Sequence, residues 1–141
     1  MKDAAELCRG LLRKAKSDRV AMEASLAAQA FDAACFHAQQ VTEKCLNAIL
    51  AYSRVGFPYT HNLTKLIEKG AEIDAAFRPL LPTVTPLTPY AVELRYDDSF
   101  WPTQQVAEEA RASALAVSQF VLDGLPPDVR KAAEQRLPRA G

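Results

Sequence analysis

CFHAQQVTEKCLNAIL, running from Cys35 to Leu50, decides the fold. It contains no Gly or Pro, and only Val41, Thr42 and Ile49 are β-branched, so it is read as helix. At about 100° per residue, Phe31, Ala34, Cys35, Ala38, Val41, Cys45, Ile49 and Tyr52 fall on one side, the expected core face. Gln40, Glu43, Lys44 and Asn47 fall on the other, with His37 at the boundary. Periodicity alone favours a solvated face for Gln39, Glu43 and Lys44, and a half-buried core position for His37. Phe36 breaks the pattern by landing in the polar half, and Leu50 is displaced toward it. A large apolar residue inside a polar patch marks a second contact surface; the alternative is a lone exposed Phe, ordinary on any protein.

Working outward, Asp3 and Glu6 have capping-box spacing, and Leu7, Leu11, Leu12, Ala15, Met22 and Leu26 recur at helical intervals. A first helix is expected over 4–28 and the second from Phe31 or Asp32 to Ser53. Gly56 and Pro58 break the chain into a loop over 54–60. A shorter helix is expected over 61–73. Five of the nine prolines lie between Pro79 and Pro102, which predicts irregular structure with a short helical turn near 89–95. Thr103 is placed to cap a helix over 103–123, which Gly124, Pro126 and Pro127 stop. Residues 125–141 read as a polar tail, either partly disordered or weakly helical over 127–137. No segment alternates with a period of two. The expected architecture is all-α, an up-and-down bundle of about five helices with no sheet, over 1–124.

The chain of 141 residues is long enough to bury roughly two-thirds of its unfolded surface. Its formal net charge of zero argues against an extended nucleic-acid groove, which needs clustered Lys and Arg; a compact nucleotide or short RNA remains open. Cys8, Cys35 and Cys45 form no ligand-spaced set, and the last two lie roughly 15 Å apart along one helix, too far for a disulfide. Buried thiols in a reducing cytoplasm are the expectation. The N-terminus carries charges throughout, unlike a signal peptide, and nothing approaches a membrane span. Two His and no phosphate-cradling Gly loop lead to an expectation of no metal and no cofactor.

Three separated stretches then carry a resemblance. FDAACFHAQQVTEKCLNAIL, PYTHNL and PYAVELRYDD resemble the HEPN domain family, whose pattern is a helix close to A-x-F-H-A-Q-Q-x-x-E-K-x-L-K-A, a T-H-D-L start to the third helix and an R-Y-P-D segment before the last. The matching positions are Ala34–Ala48, Thr60–Leu63 and Arg95–Asp98, with Asn47, Asn62 and Asp97 as departures. The resemblance implies a cytoplasmic prokaryotic homodimer of about five helices. It further implies nucleotide binding and a minimal nucleotidyltransferase as partner in a module of toxin–antitoxin type.

Some members of the wider superfamily are metal-independent RNases, with Arg, four to six residues, then His near the start of a late helix. In that chemistry His moves a proton and Arg stabilises the phosphorane. Arg54 and His61 have the spacing, but they flank a Gly/Pro loop and no His follows His61. RNase activity is therefore the alternative and not the expectation; a non-catalytic dimeric scaffold is another. His61 is equally read as a structural residue opening the third helix beside a capping Thr60, and Arg54 as a solvated helix end. Arg95, Tyr96 and Asp98 are the stronger candidates. Arg95 is either an anion contact with Tyr96 stacking, or a buried pin pairing with Glu43, with Asp98 serving Lys44 or His37. His37, Gln40, Glu43, Lys44, His61, Arg95, Tyr96 and Asp98 are the ligand or partner candidates, and Phe36 is the candidate dimer contact.

Overall fold

The computed structural model describes residues 2–56 and 59–139; Pro58, one of the two expected breakers, lies outside them. Among the described residues there are six α-helices: α1 (Ala4–Ala27), α2 (Phe31–Tyr52), α3 (Leu63–Ala71), α4 (Leu81–Val84), α5 (Gln104–Asp123) and α6 (Pro127–Arg130). Three 3₁₀ segments cover Ala75–Leu80, Thr85–Tyr90 and Lys131–Glu134, and there is no strand among the described residues.

The long helices begin and end where local chemistry dictates. Asp3 accepts a hydrogen bond from Glu6 N at 2.8 Å, and Thr103 accepts one from Val106 N at 3.2 Å, so α1 and α5 are capped as their sequences predict. At their C-terminal ends, α1 and α2 share one motif. Ala30 N donates to Ser25 O at 2.8 Å, Val55 N to Leu50 O at 3.0 Å, and the residues that turn the chain, Gln29 and Arg54, have φ of 63° and 60°. These are Schellman-type endings built without the usual glycine. Arg54 thus serves as the turning residue of α2.

α2 is the axle of the bundle. α1 packs along one side of it through Cys8, Leu12, Ala15 and Met22, and α5 along another through Ala107, Ala110, Ala114, Val117 and Val121. The small residues on α5 let the two backbones approach closely. α3 closes a third side with Leu63, Leu66 and Ile67.

Two segments differ from expectation. The proline-rich stretch is a staircase of helical turns over 75–96. Pro82 and Pro86 sit in first turns, where no intrahelical N–H is needed, and the fixed φ of Pro79 and Pro89 suits 3₁₀ geometry. Phe77 from this staircase lies so close to Gly70 of α3 that a Cβ there would meet its ring at 2.3 Å. The segment after Gly124 is packed rather than loose. Leu125, Val129, Ala132 and Ala133 are buried in the common core, and Lys16 Nζ donates to Glu134 O at 3.1 Å.

Candidate functional site

A helix covered on several sides must bury polar residues along with apolar ones. Gln39 and Thr42 of α2 have no exposed surface and Glu43 retains 7%. The stripe is therefore not a solvated face. Buried polar groups require partners; Thr42 Oγ1 donates to Ala38 O of its own helix at 2.9 Å, and the other polar contacts of α2 fall into three neighbouring groups.

The first group centres on Asp18 of α1, itself only 8% exposed. Its Oδ1 lies 2.9 Å from His37 Nδ1, and its Oδ2 accepts from Lys44 Nζ. Asp18 thus partners both His37 and Lys44, the role foreseen for Asp98. Asp98 is instead exposed, and its carbonyl accepts from Trp101 Nε1 at 2.8 Å. Beside it, Asp97 accepts from Ser99 N at 2.9 Å and Ser99 Oγ at 2.6 Å; these hydrogen bonds hold its carboxyl below the usual carboxylate range.

The second group joins α2 to the approach of α3. Glu43 Oε1 lies 2.8 Å from His61 Nδ1, Gln39 Nε2 donates to His61 O at 3.3 Å, and Gln40 Nε2 donates to Gln39 Oε1 at 2.6 Å. His61 lies before α3 and does not open it. The cap is Asn62, whose Oδ1 accepts from Thr64 N at 3.0 Å, while Thr60 Oγ1 accepts from Asn62 N. Leu11, Glu43, Lys44, Asn47, Tyr59, Thr60 and His61 line a cleft here, and Asn47 Oδ1 is buried without a hydrogen-bond partner among the described residues.

The third group lies at the N-terminal end of α2. The Arg95 guanidinium carbon sits 4.2 Å above the centre of the Phe36 ring and 5.5 Å from that of Tyr96. Glu43 is engaged by His61, so the expected Arg95–Glu43 pair does not exist. The 95–98 segment does return to α2, but one turn and more nearer its start, and through a cation–π contact. Phe36 also meets His37 edge-to-face at 5.1 Å, and Tyr90 stacks on Phe100 at 5.6 Å. Phe36, His37, Tyr90, Arg95 and Phe100, with Asp32, Ala33 and Leu94, line a cleft, and Tyr96 lies outside its lining. Among the described residues Arg95 has no carboxylate at ion-pair distance.

Arg54 and His61 line different clefts, the former beside Lys2, Asp3 and Leu7 at the opposite end of α2 from Phe36. Among the described residues no cluster of His, Cys, Asp and Glu is arranged to hold a metal ion, and no helix is long and apolar enough to cross a membrane. All three thiols are buried and burial pushes each up to about 11, so none is a ready nucleophile.

Asp18, the hub of the first group, was not singled out by the sequence. Its signal was its register: it falls between Ala15 and Met22 on the core-facing stripe of α1, where a carboxylate needs a partner. Tyr90 and Phe100 were hidden by the apparent irregularity of their segment.

The family model for the HEPN domain matches residues 8–125. No curated protein and no solved structure matches the chain.

Proposed function

The chain belongs to the HEPN domain family, and from that premise we propose a binding module that takes a nucleotide at the Phe36–Arg95 cleft. The single observation that carries this reading is Arg95 itself, a guanidinium seated on an aromatic ring with no carboxylate partner among the described residues. A guanidinium so held offers its edge donors to phosphate oxygens. Tyr96, 80% exposed beside it, offers a ring face on which a base stacks. His37, fixed through Nδ1 by Asp18, lines the same cleft.

In this reading the protein works as a cytoplasmic homodimer beside a nucleotidyltransferase-type partner, in a two-component module of toxin–antitoxin kind. Exposed Tyr96, Val92 and Trp101 near the cleft support a contact surface there, extending from Phe36. Catalysis is not part of the proposal. Arg54 turns the chain at the end of α2 and shares no cleft with His61, so the RNase pair is not assembled within one subunit.

The test is a thermal-shift and calorimetric screen of adenine and guanine nucleotides on the intact protein. Ligand at a hundred times its dissociation constant adds about 2.7 kcal/mol to stability. Arg95→Ala should abolish that gain. Absence of any nucleotide-dependent shift in the unmodified protein would refute the reading. Light scattering at micromolar concentration tests the dimer, and co-purification with the product of an adjoining gene tests the partner.

A further inference from the structure

His37 and Arg95 both rest on the Phe36 ring. The Arg95 guanidinium carbon lies 4.2 Å above its centre, and the His37 ring meets it edge-to-face at 5.1 Å. Both side chains line the same cleft. On the premise of the nucleotide reading above, we propose that this cleft selects a phosphate monoester, a dianion, and that His37 takes up a proton on binding to become the second anchor of that phosphate.

The imidazole is held in place from behind. Its Nδ1 lies 2.9 Å from Asp18 Oδ1, and Asp18 is only 8% exposed. That contact orients the ring and leaves Nε2 as its one other polar atom. Nε2 has no hydrogen-bond partner among the described residues, and it is not buried: Asn47 Oδ1 is the one buried side-chain N or O atom left without a partner among them. The His37 side chain keeps 26% of its surface. Nε2 is thus free to meet a ligand from the cleft.

The charges around the ring leave a second proton open. From α1, Asp18 faces it, but the other oxygen of Asp18 accepts from Lys44 Nζ, so the carboxylate is compensated whichever form His37 takes. From α2, the exposed Asp32 lines the cleft. From the 90–100 segment come Arg95 and Tyr90; burial raises the Tyr90 phenol, which therefore keeps its proton. While Nδ1–H donates to Asp18, a neutral ring offers Nε2 only as an acceptor, which a phosphate oxygen cannot use. One more proton turns Nε2 into a charged donor. Arg95 matches one negative charge, and a monoester carries nearly two at neutral pH; the imidazolium matches the second. Asp32 repels phosphate, which sets the phosphate beside Arg95 and His37. The space, roughly 370 Å³, is of a size for a small ligand.

The experiment titrates the full chain with adenosine and guanosine 5′-monophosphate and with their phosphate methyl esters, which have nearly the same shape and one charge fewer. Calorimetry slightly above neutral pH, in two buffers of different ionisation heat, counts the protons taken up. A monophosphate should bind with net proton uptake and at least about tenfold more tightly than its ester. Its affinity should fall as pH rises further, by at most about tenfold per unit, because one proton is linked. His37→Asn keeps a donor where Nδ1 meets Asp18 and lacks Nε2, so the fold is preserved. That variant should show no uptake and should bind the monophosphate no better than the ester, with the ester's own affinity unchanged. A proton taken by the phosphate itself would persist in the variant, so the difference between the two proteins belongs to His37. Equal affinity for monophosphate and ester, binding without uptake, or the same uptake in His37→Asn would each overturn the proposal and leave the Arg95 reading standing. No binding of any of the four ligands would remove both.

Discussion

Glu43 holds His61, not Arg95: the Glu43 Oε1 to His61 Nδ1 distance is 2.8 Å, while the Arg95 guanidinium lies over Phe36. His61 and Arg95 thereby have different neighbours on α2, and their substitutions separate. Arg95→Ala should cost at most about 1 kcal/mol, the range for an exposed cation–π contact. Glu43→Ala should cost about 1 kcal/mol, because the one group bonded to its carboxylate, His61, is 59% exposed and regains water. A double-mutant cycle between Arg95→Ala and Glu43→Ala should give additivity within about 0.5 kcal/mol. Denaturant titrations of the four proteins check this; a coupling above 1 kcal/mol would contradict the geometry.

Asp18 holds two neighbours at once, His37 and Lys44. Asp18→Ala leaves both facing a partly buried gap. Since both side chains keep some access to water, the loss should fall near about 2–3 kcal/mol, below the range for fully buried pairs. Lys44→Met in the Asp18→Ala background should recover part of it. Urea midpoints read both effects, and an additive or worsened double variant would argue against the shared carboxylate.

Gln29 turns the chain after α1 at φ 63°. A side chain in that region costs about 1–2 kcal/mol, partly offset in the unfolded chain by the stiffness that glycine lacks. Gln29→Gly should stabilise by about 0.5–1 kcal/mol without altering any other contact. Arg54, at φ 60°, should respond the same way, and a fall in melting temperature for both would show that these side chains do more than turn the chain.

Cys8, Cys35 and Cys45 are raised to about 11 by burial. The folded state thus favours the neutral thiol. Its contribution is fully present below the unfolded value near 9 and is lost as pH rises through the folded value near 11. Stability should decline across that window. At pH 8 a disulfide reagent should label none of the three in the native protein and all three in denaturant; rapid native labelling would place a thiol at the surface.

Incubation with RNA in EDTA should give no cleavage, since Arg54 and His61 line separate clefts. Cleavage lost on His61→Ala would restore the catalytic reading.

The three long helices were legible because their apolar residues recur at the helical period, and the caps at Asp3 and Thr103 because N-capping is chemistry within four residues. The environment of α2 was not legible for a geometric reason. A helical wheel divides a helix into one inside and one outside, and α2 has neighbours around most of its circumference. Its polar residues then bury in pairs whose partners, Asp18 and His61, stand 18 to 26 residues away in sequence. Nothing local selects them over Arg95 or Asp98, which offer similar charges. The prolines misled because a fixed φ near −65° is as compatible with a 3₁₀ turn as with an irregular segment. In the final segment, Leu125, Val129, Ala132 and Ala133 form a short apolar face diluted by charged neighbours.

No residue from Ala33 to Tyr52 is fully exposed to water. An exhaustive map of single substitutions should therefore look unlike that of an ordinary surface helix. Across α1 and α5 tolerance should rise and fall every three or four positions, with Lys14, Glu23, Glu108 and Gln119 accepting most replacements. Across α2 the tolerant phase should vanish, leaving about five consecutive turns in which nearly every position resists change. Divergence among descendants of this chain should then accumulate around α2 and spare it, so that its axle remains readable after the rest of the sequence has drifted.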